Sequence, residues 1–426
     1  MKKRSYLLLF LMLTMPVLSY AQNTNTGKKG AEPYKKSAIL KAYRGYMKEK
    51  NYGKARKEIE DAMLKHEAAA NDALFYKYKV DALNELIGAE NRKIYLNSKP
   101  DTTSFFNYIY DLYVAGLKGD SVEQKSILEK RDLGKKAEPK LRYGFGTMMM
   151  PYRKNLLNAG KYYYKKRDYS NAFRFLDMYA QTKEAAVFED KKENSTVADP
   201  DDIQEVSTLA VLSAYASSKH EGVMTYLAES LRDEELKPKL LEIGSKSAGE
   251  LGDTIEMTRI LEQGFTEYPE VDYFFMTLMK YYNDHEMYEA ALKKALWMAE
   301  LYALKRDYWF MAGKEQMLLG LYSDALISFG KCVDIKADDA ESFSAIGNIY
   351  LHEAHEAYSS FNVPLSAPDY ASKKAVIDNL YKQSCAAFEK ARKFDENNRD
   401  LWLSGLREAY FKLNKGRELR LLEKYK

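Results

Sequence analysis

Apolar residues recur three and four positions apart along most of the chain, a spacing that predicts amphipathic helices. A Tyr-x-x-Ala pattern opens several of these stretches, and its copies begin at Tyr52, Tyr169, Tyr288 and Tyr322. We expect the Tyr to fill space beside a partner helix and the Ala to let two backbones approach. A second amphipathic stretch precedes each copy, after a short turn such as that around Gly320. The pattern predicts a repeating unit of helix, turn and helix.

The repeat becomes regular from about Pro238, with a period of 34 residues. Three consecutive units follow in one phase: 238–271, 272–305 and 306–339. A single pair of amphipathic helices cannot bury both of its apolar faces, so successive pairs must stack on one another. The sequence therefore predicts an array of stacked helix pairs.

Unit 306–339 has large, small and aromatic residues at fixed spacings, at Trp309, Gly313, Gly320, Tyr322, Ala325, Phe329 and Cys332. In these residues it resembles a tetratricopeptide repeat (TPR). Unit 340–398 continues the pattern with 25 additional residues, which we interpret as a projecting hairpin at 355–379. Weaker units are predicted at 36–69, 153–186 and 204–237, with a last partial unit from 399, whereas 90–150 follows no phase. The resemblance implies an all-α fold, a right-handed superhelical solenoid of helix-turn-helix repeats.

The N-terminal segment has the three parts of a secretory signal. Basic residues 2–4 precede an apolar run from Tyr6 to Leu18, and small residues stand at Ser19 and Ala21. The run is shorter than the roughly 20 residues that span a bilayer, which favours a cleaved signal peptide over a retained anchor. We expect a soluble periplasmic or extracellular protein without a transmembrane segment. The predicted parts are a signal peptide 1–21, a flexible leader 22–35, irregular helical repeats 36–203 and a TPR-like solenoid 204–426.

Composition and charge narrow the classes of function. Hydrophobic residues make up 46% of the chain and charged residues 30%, which suffices for a core and excludes wholesale disorder. Loss of the three basic residues at 2–4 would leave the formal charge of +4 near neutrality, so nucleic acid is not expected as a partner. Cys332 and Cys385 are interpreted as buried thiols, with a disulfide as the alternative.

The TPR resemblance implies that first helices line a groove that binds an extended peptide or a partner helix. Six of the eight residues at the ninth position of the proposed units are basic, with Leu212 and Asn348 as the exceptions. The basic ones are Arg44, Lys161, Lys246, Lys280, Lys314 and Arg407. The predicted partner-binding residues are Lys246, Lys280, Lys314, Asn348 and Arg407, with Tyr273, Phe310 and Tyr410 as apolar anchors. A basic row would favour an acidic segment; the alternatives are a solvated helix face for the row and helix packing for the anchors.

No catalytic, cofactor or metal constellation is predicted. His352 and His355 stand three residues apart, whereas the zinc-protease motif needs two His four apart on one helix face. We therefore expect a non-enzymatic exported scaffold that binds a protein or peptide in its groove. The alternative is a glycan-binding protein similar to the helical SusD-like sugar-capture proteins. The aromatic run at 102–116 could serve such a protein, although core packing is the favoured interpretation.

Overall fold

The computed structural model describes residues 34–183, 185–191 and 200–425, and these contain α-helices, short 3-10 segments and no strand. The predicted all-α fold is confirmed. The predicted signal peptide, most of the leader and residues 192–199 lie outside the described residues. The helices are α1 Lys36–Lys48, α2 Tyr52–Lys65, α3 Glu67–Ala70, α4 Ala73–Tyr95, α5 Thr102–Asp132, α6 Arg142–Met149, α7 Arg153–Lys165, α8 Tyr169–Gln181, α9 Pro200–Ala216, α10 His220–Ser230, α11 Lys237–Glu250, α12 Thr254–Glu267, α13 Asp272–Asp284, α14 Tyr288–Leu301, α15 Arg306–Leu318, α16 Tyr322–Ile335, α17 Ala340–Ser359, α18 Tyr370–Phe394, α19 Leu403–Lys412 and α20 Gly416–Leu421.

The chain divides into two compact units between Met149 and Met150. The repeat phase had suggested a division at 203/204 instead. The difference arises because the α7–α8 hairpin packs against α9 and α10, so it belongs with the repeats that follow. Tyr226 of α10 donates a hydrogen bond to Asp177 of α8 at 2.6 Å. The second unit therefore begins with the hairpin that the phase had assigned to the N-terminal part.

One backbone turn recurs between paired helices. In each of these pairs a residue with positive φ stands two positions before the second helix begins. The backbone N–H of the next residue donates a hydrogen bond, 2.8–3.0 Å long, to the carbonyl of the residue five positions before that donor. This hydrogen bond is that of a Schellman motif, which ends one helix and redirects the chain. The positive-φ residues are Lys50, Arg167, Ser218, Gly252, Glu286, Gly320 and Asn414. Four of them, from Ser218 to Gly320, are spaced by 34 residues, so unit 204–237 shares the regular phase.

Small residues bring the helices of each pair into close contact. The Ala of every Tyr-x-x-Ala copy is fully buried, as the pattern predicted, at Ala55, Ala172, Ala291 and Ala325. Gly313 on α15 performs the same role from the first helix, because a Cβ placed there would lie 2.8 Å from Cζ of Phe329 on α16. The aromatic ring of one helix thus fills the space that the other leaves empty.

The segment 90–150, which follows no repeat phase, forms long helices in place of a regular pair. In this segment a buried glutamate of one helix accepts hydrogen bonds from the backbone at or just before the start of the next helix. Glu123 of α5 accepts hydrogen bonds from the backbone N–H groups of Lys140, Leu141 and Arg142 at the start of α6, at 2.8–3.1 Å. A carboxylate at this position satisfies amides that have no partner within their own helix. The first unit therefore relies on long-range capping where regular hairpin turns are missing.

The aromatic run at 102–116 contributes to the interior of the first unit. Phe105, Phe106 and Tyr113 are buried, and the Tyr113 hydroxyl donates to the carbonyl of Met149 at 2.8 Å. These positions agree with core packing, which was the favoured interpretation of the run, and they leave those three rings unavailable to a sugar.

The inserted residues lengthen both α17 and α18. The extended part of α17 is held by α19, since His355 Nε2 lies 2.7 Å from Glu408 Oε1. Cys332 and Cys385 are buried and unpaired, in agreement with their interpretation as buried thiols. Burial raises the pKa of the Cys332 thiol to about 11 and that of Cys385 to about 12.

We predict that Gly313→Ala destabilises the protein by about 1–3 kcal/mol, because the added methyl group would overlap the fully buried ring of Phe329. Gly330→Ala is the matched control: Gly330 lies on α16, and apart from the adjacent backbone of its own helix no atom lies within 4 Å of an added Cβ. That change should stabilise by roughly 0.5–1 kcal/mol, since Ala is the better helix former. Urea unfolding of both variants measures the difference, and equal effects would contradict the close approach.

Candidate functional site

The ninth-position residues lie on the first helices of successive pairs in the second unit. Those singled out from the sequence are Lys246 on α11, Lys280 on α13, Lys314 on α15, Asn348 on α17 and Arg407 on α19. Lys280, Lys314 and Asn348 are exposed, whereas Lys246 and Arg407 are half-buried. These residues therefore differ in exposure, and they also differ in the side chains around them.

Two lysines of the predicted row already have carboxylate partners. Lys246 Nζ lies 2.5 Å from Oε1 of Glu242, and it also lies 4.9 Å from the ring centroid of Tyr273. The hydrogen bond with Glu242 raises the pKa of Lys246. Lys161 Nζ is likewise 2.6 Å from Glu205 Oε2. Neither lysine presents an uncompensated charge to a partner.

Lys280 and Lys314 differ from those lysines. Neither forms an ion pair within 4 Å in the part of the chain that the structure describes. The residue four positions earlier, which is Glu242 in the case of Lys246, is Met276 for Lys280 and Phe310 for Lys314. Met276 is 48% exposed and Phe310 is half-buried. On α13 and α15 a lysine therefore stands beside an apolar side chain instead of a carboxylate.

A cleft of about 620 Å³ surrounds Lys314 between α15, α16 and α17. Most of its apolar side chains come from α15 and α16, and most of its polar ones come from α17. It is lined by Phe310, Lys314, Met317, Leu318, Tyr322, Phe329, Glu341, Ser344, Ala345, Asn348, His352 and Leu401. Phe310 packs on the buried Phe329 at a centroid distance of 5.5 Å, and Tyr322 contacts His352 at 4.6 Å. The arrangement offers an apolar floor with a single lysine, several neutral polar groups and one carboxylate, that of Glu341, around it.

An ion-pair network fixes the two long walls of the cleft. Arg306, the first residue of α15, binds both carboxylate oxygens of Asp339 at 2.6 and 2.7 Å, just before α17 begins. It also contacts Glu341 of α17 at 2.7 Å. Its guanidinium carbon lies 4.1 Å from the ring centroid of Phe310. Since Asp339 is almost fully buried, this pairing sets the position of α17 relative to α15.

A buried carboxylate lies beside Lys314 in the sequence. Glu315 is 4% exposed, and its Oε1 accepts a hydrogen bond from Asn283 Nδ2 of α13 at 3.0 Å. Its Oε2 has no hydrogen-bond partner among the described residues. Burial raises the pKa of Glu315, although the bond from Asn283 and the charge of Lys314 oppose the shift.

The structure brings together only some of the residues that the sequence predicted. Phe310, Lys314 and Asn348 line the same cleft. Arg407 lines a separate hollow of about 380 Å³ with Arg399, Asp400, Leu403 and Ser404. Tyr273 is half-buried, and its hydroxyl lies 3.0 Å from Ser245 Oγ.

Tyr410 is not an exposed anchor. It is 5% exposed, and its hydroxyl donates to Glu389 at 2.8 Å, so its ring packs between helices as the alternative interpretation held. Met317 and Leu318 also line the cleft, although neither was among the residues predicted from the sequence. They stand three and four residues after Lys314, and this helical spacing is the signal that would have placed them beside it.

Other chemistry is limited in the described part of the chain. His352 faces the cleft while His355 bonds to Glu408, so these two side chains do not converge. Among the described residues no group of three or more His, Cys, Asp or Glu could hold a metal ion. The helices of that same part include none with the length and apolar character needed to cross a bilayer.

The helix pairs, their 34-residue spacing and the small residues between them define the fold. It is an all-α, TPR-like helical repeat. No family model and no curated protein matches the chain. Among solved structures, MamA of AMB-1 is 15% identical, with 46% of this chain and 94% of that chain covered and a TM-score of 0.31.

Two further solved structures are similar to the same limited degree. A TPR repeats protein from Bacteroides fragilis NCTC 9343 is 12% identical over 61% of this chain and 98% of that chain, with a TM-score of 0.30. MamA from Desulfovibrio magneticus RS-1 is 13% identical over 42% of this chain and 96% of that chain, with a TM-score of 0.28. Superpositions this partial add nothing about function, and the repeat assignment rests on the helix pairs of this chain.

We predict that Glu315→Gln stabilises the protein by about 1 kcal/mol at pH 7. Because the pKa of Glu315 is higher in the folded than in the unfolded state, the stability it contributes is present at low pH. That stability is lost as pH rises through the folded pKa. The neutral amide removes the cost of ionisation and can still accept from Asn283. Thermal unfolding at pH 4 and pH 7 measures the change; a difference that is the same at both values would contradict the account.

Proposed function

We propose that the chain is an exported scaffold without chemistry of its own, whose cleft between α15 and α17 binds an extended segment of another protein. The observation that carries the proposal is the unpaired Lys314 beside Phe310 in a cleft with an apolar floor. A lysine without a carboxylate partner keeps its charge available to a ligand, and an adjacent apolar surface supplies the burial that a charge contact alone lacks.

The lining residues suggest how such a segment would be held. One apolar side chain of the segment would lie against Phe310, Met317 and Leu318. A carboxylate of the segment would pair with Lys314, which gives orientation and speeds association. Asn348 can both donate to and accept from the backbone of the segment.

The first helix of the preceding repeat, α13, carries the same combination of a lysine and an apolar side chain. Lys280 and Met276 of α13 stand 34 residues before Lys314 and Phe310, so an identical pairing of lysine and apolar side chain is presented one repeat earlier. A ligand that uses both would be extended along successive first helices. This arrangement favours a peptide segment over a compact metabolite, and acidic residues spaced along that segment would match the two lysines.

Export rests on the sequence of residues 1–21, which lie outside the described part of the structure. A cleaved signal peptide would leave Gln22 as the first residue. Mass spectrometry of the protein recovered from the expressing cells tests this directly. A mature mass that begins at Gln22 supports export, whereas a product that retains Met1 contradicts it.

We predict that Lys314→Glu abolishes partner capture, with a loss of at least about tenfold, while melting stays nearly unchanged because exposed charges add little to stability. The experiment is a pull-down from an envelope extract with residues 22–426 as bait and mass-spectrometric identification. Lys331→Glu on α16 is the matched control, since it reverses another exposed lysine without an ion pair in the described residues.

The pattern of capture decides the proposal. A protein retained by the wild type and Lys331→Glu but lost with Lys314→Glu supports it. Equal capture by all three proteins would contradict it. Binding to glycan arrays with no protein captured would also contradict it, and would favour the sugar-binding alternative.

A further inference from the structure

The exposed side of α1 in the first unit carries basic charge alone. Lys41, Arg44 and Lys48 are exposed, and their spacing of three and four residues places them on one side of the helix. The helix contains no Asp or Glu. None of the three lies within 4 Å of a carboxylate in the part of the chain that the structure describes. We call these three residues the basic face.

The charge around the basic face is strongly one-sided. Residues 34–57 include nine basic residues and one acidic residue, Glu49, although the whole chain has 66 basic and 62 acidic residues. Arg56, one of the nine, is compensated by Glu60 and Asp111 at 3.6 Å. Lys54 of α2 continues the positive surface, with its Nζ 6.0 Å from the ring centroid of Tyr46 on α1. A hollow of about 720 Å³ at the start of α1 contains Lys35, Lys36 and Arg44 among its lining residues. Asp72 compensates Lys36 at 2.5 Å, which leaves the basic face itself unbalanced.

The apolar residues of α1 are already used by the core of the first unit. Leu40 and Tyr43 are buried, and Ile39, Tyr46 and Met47 pack against the same cluster. A protein interface takes most of its binding energy from buried apolar and aromatic anchors, and a helix that enters a bilayer needs an exposed apolar side. The basic face offers neither, so whatever it binds must be held by charge.

We propose that the basic face of α1 docks the first unit on the headgroups of an anionic phospholipid bilayer, without insertion. A bilayer presents dense negative charge over an area as wide as the helix, which complements a row of exposed cations. Near such a surface each Lys or Arg strengthens binding by about fivefold. Single-stranded nucleic acid is the less suitable polyanion, because its sites add aromatic side chains on which bases stack. The aromatic side chains of α1 pack on the core instead.

The test is sedimentation of residues 22–426 with lipid vesicles. This form keeps every described residue and omits the apolar run Tyr6–Leu18, which would enter vesicles by itself. Vesicles of phosphatidylcholine with about 30% phosphatidylglycerol are compared with pure phosphatidylcholine. We expect binding to the anionic vesicles only. The binding should weaken markedly between about 50 and about 300 mM salt, as screening shortens the reach of the charges.

Two triple variants isolate the basic face. Lys41/Arg44/Lys48→Gln should reduce affinity for anionic vesicles by at least about tenfold with unchanged helicity. Lys331/Lys336/Lys382→Gln, which removes three exposed lysines of the second unit, should bind like the wild type. Lys314→Glu should also bind vesicles normally, so failure of the cleft and failure of the basic face are distinguishable.

Other outcomes overturn the proposal. Equal vesicle binding by the two triple variants would place the contact elsewhere. Binding to pure phosphatidylcholine would show that apolar contacts are responsible. Absence of vesicle binding would also contradict the proposal, and retention of single-stranded RNA through Lys41, Arg44 and Lys48 would then replace the bilayer with nucleic acid.

Discussion

The close approach of paired helices is the constraint on which the rest of this fold depends. A fully buried Ala on the second helix lets the paired helix approach, and Gly313 on α15 leaves room for the aromatic ring of Phe329 on α16. The positive-φ turn then reverses the chain with the Schellman hydrogen bond, so that the two helices meet in this register. Glycine supplies that conformation without strain at Gly252 and Gly320, whereas Glu286 adopts it at a cost that the surrounding packing must offset.

The candidate cleft follows from the same packing. Phe329 fixes the floor from beneath Phe310, and the pairing of Arg306 with Asp339 fixes α17 against α15. These contacts join residues of the chain itself, and a site that is held in place by its own packing binds at a lower conformational cost. The repeats then differ in whether the lysine at the ninth position has a carboxylate partner. Glu242 compensates Lys246, while Lys280 and Lys314 stay available beside apolar side chains.

The sequence predicted the regular part of the fold because each repeat solves one local packing problem with the same residue types. Tyr-x-x-Ala and Gly320 identified second helices and turns, and the ninth position led to Lys314 and Asn348. The sequence could not show that Glu242 would pair with Lys246 or that the buried Tyr410 would donate a hydrogen bond to Glu389, because both contacts depend on side-chain positions. The irregular α4–α6 segment escaped prediction for a related reason. Its helices are joined by buried Glu90 and Glu123, which cap amides 11 to 19 residues away.

The central claim is that partner binding occurs in the cleft between α15 and α17. The most direct measurement is hydrogen–deuterium exchange of residues 22–426 with and without the captured partner. The account predicts added protection within Arg306–Leu318 and the first three turns of α17, with none in α18 or α1. Protection confined to the α17–α18 tip, or to helices outside the cleft, would contradict it.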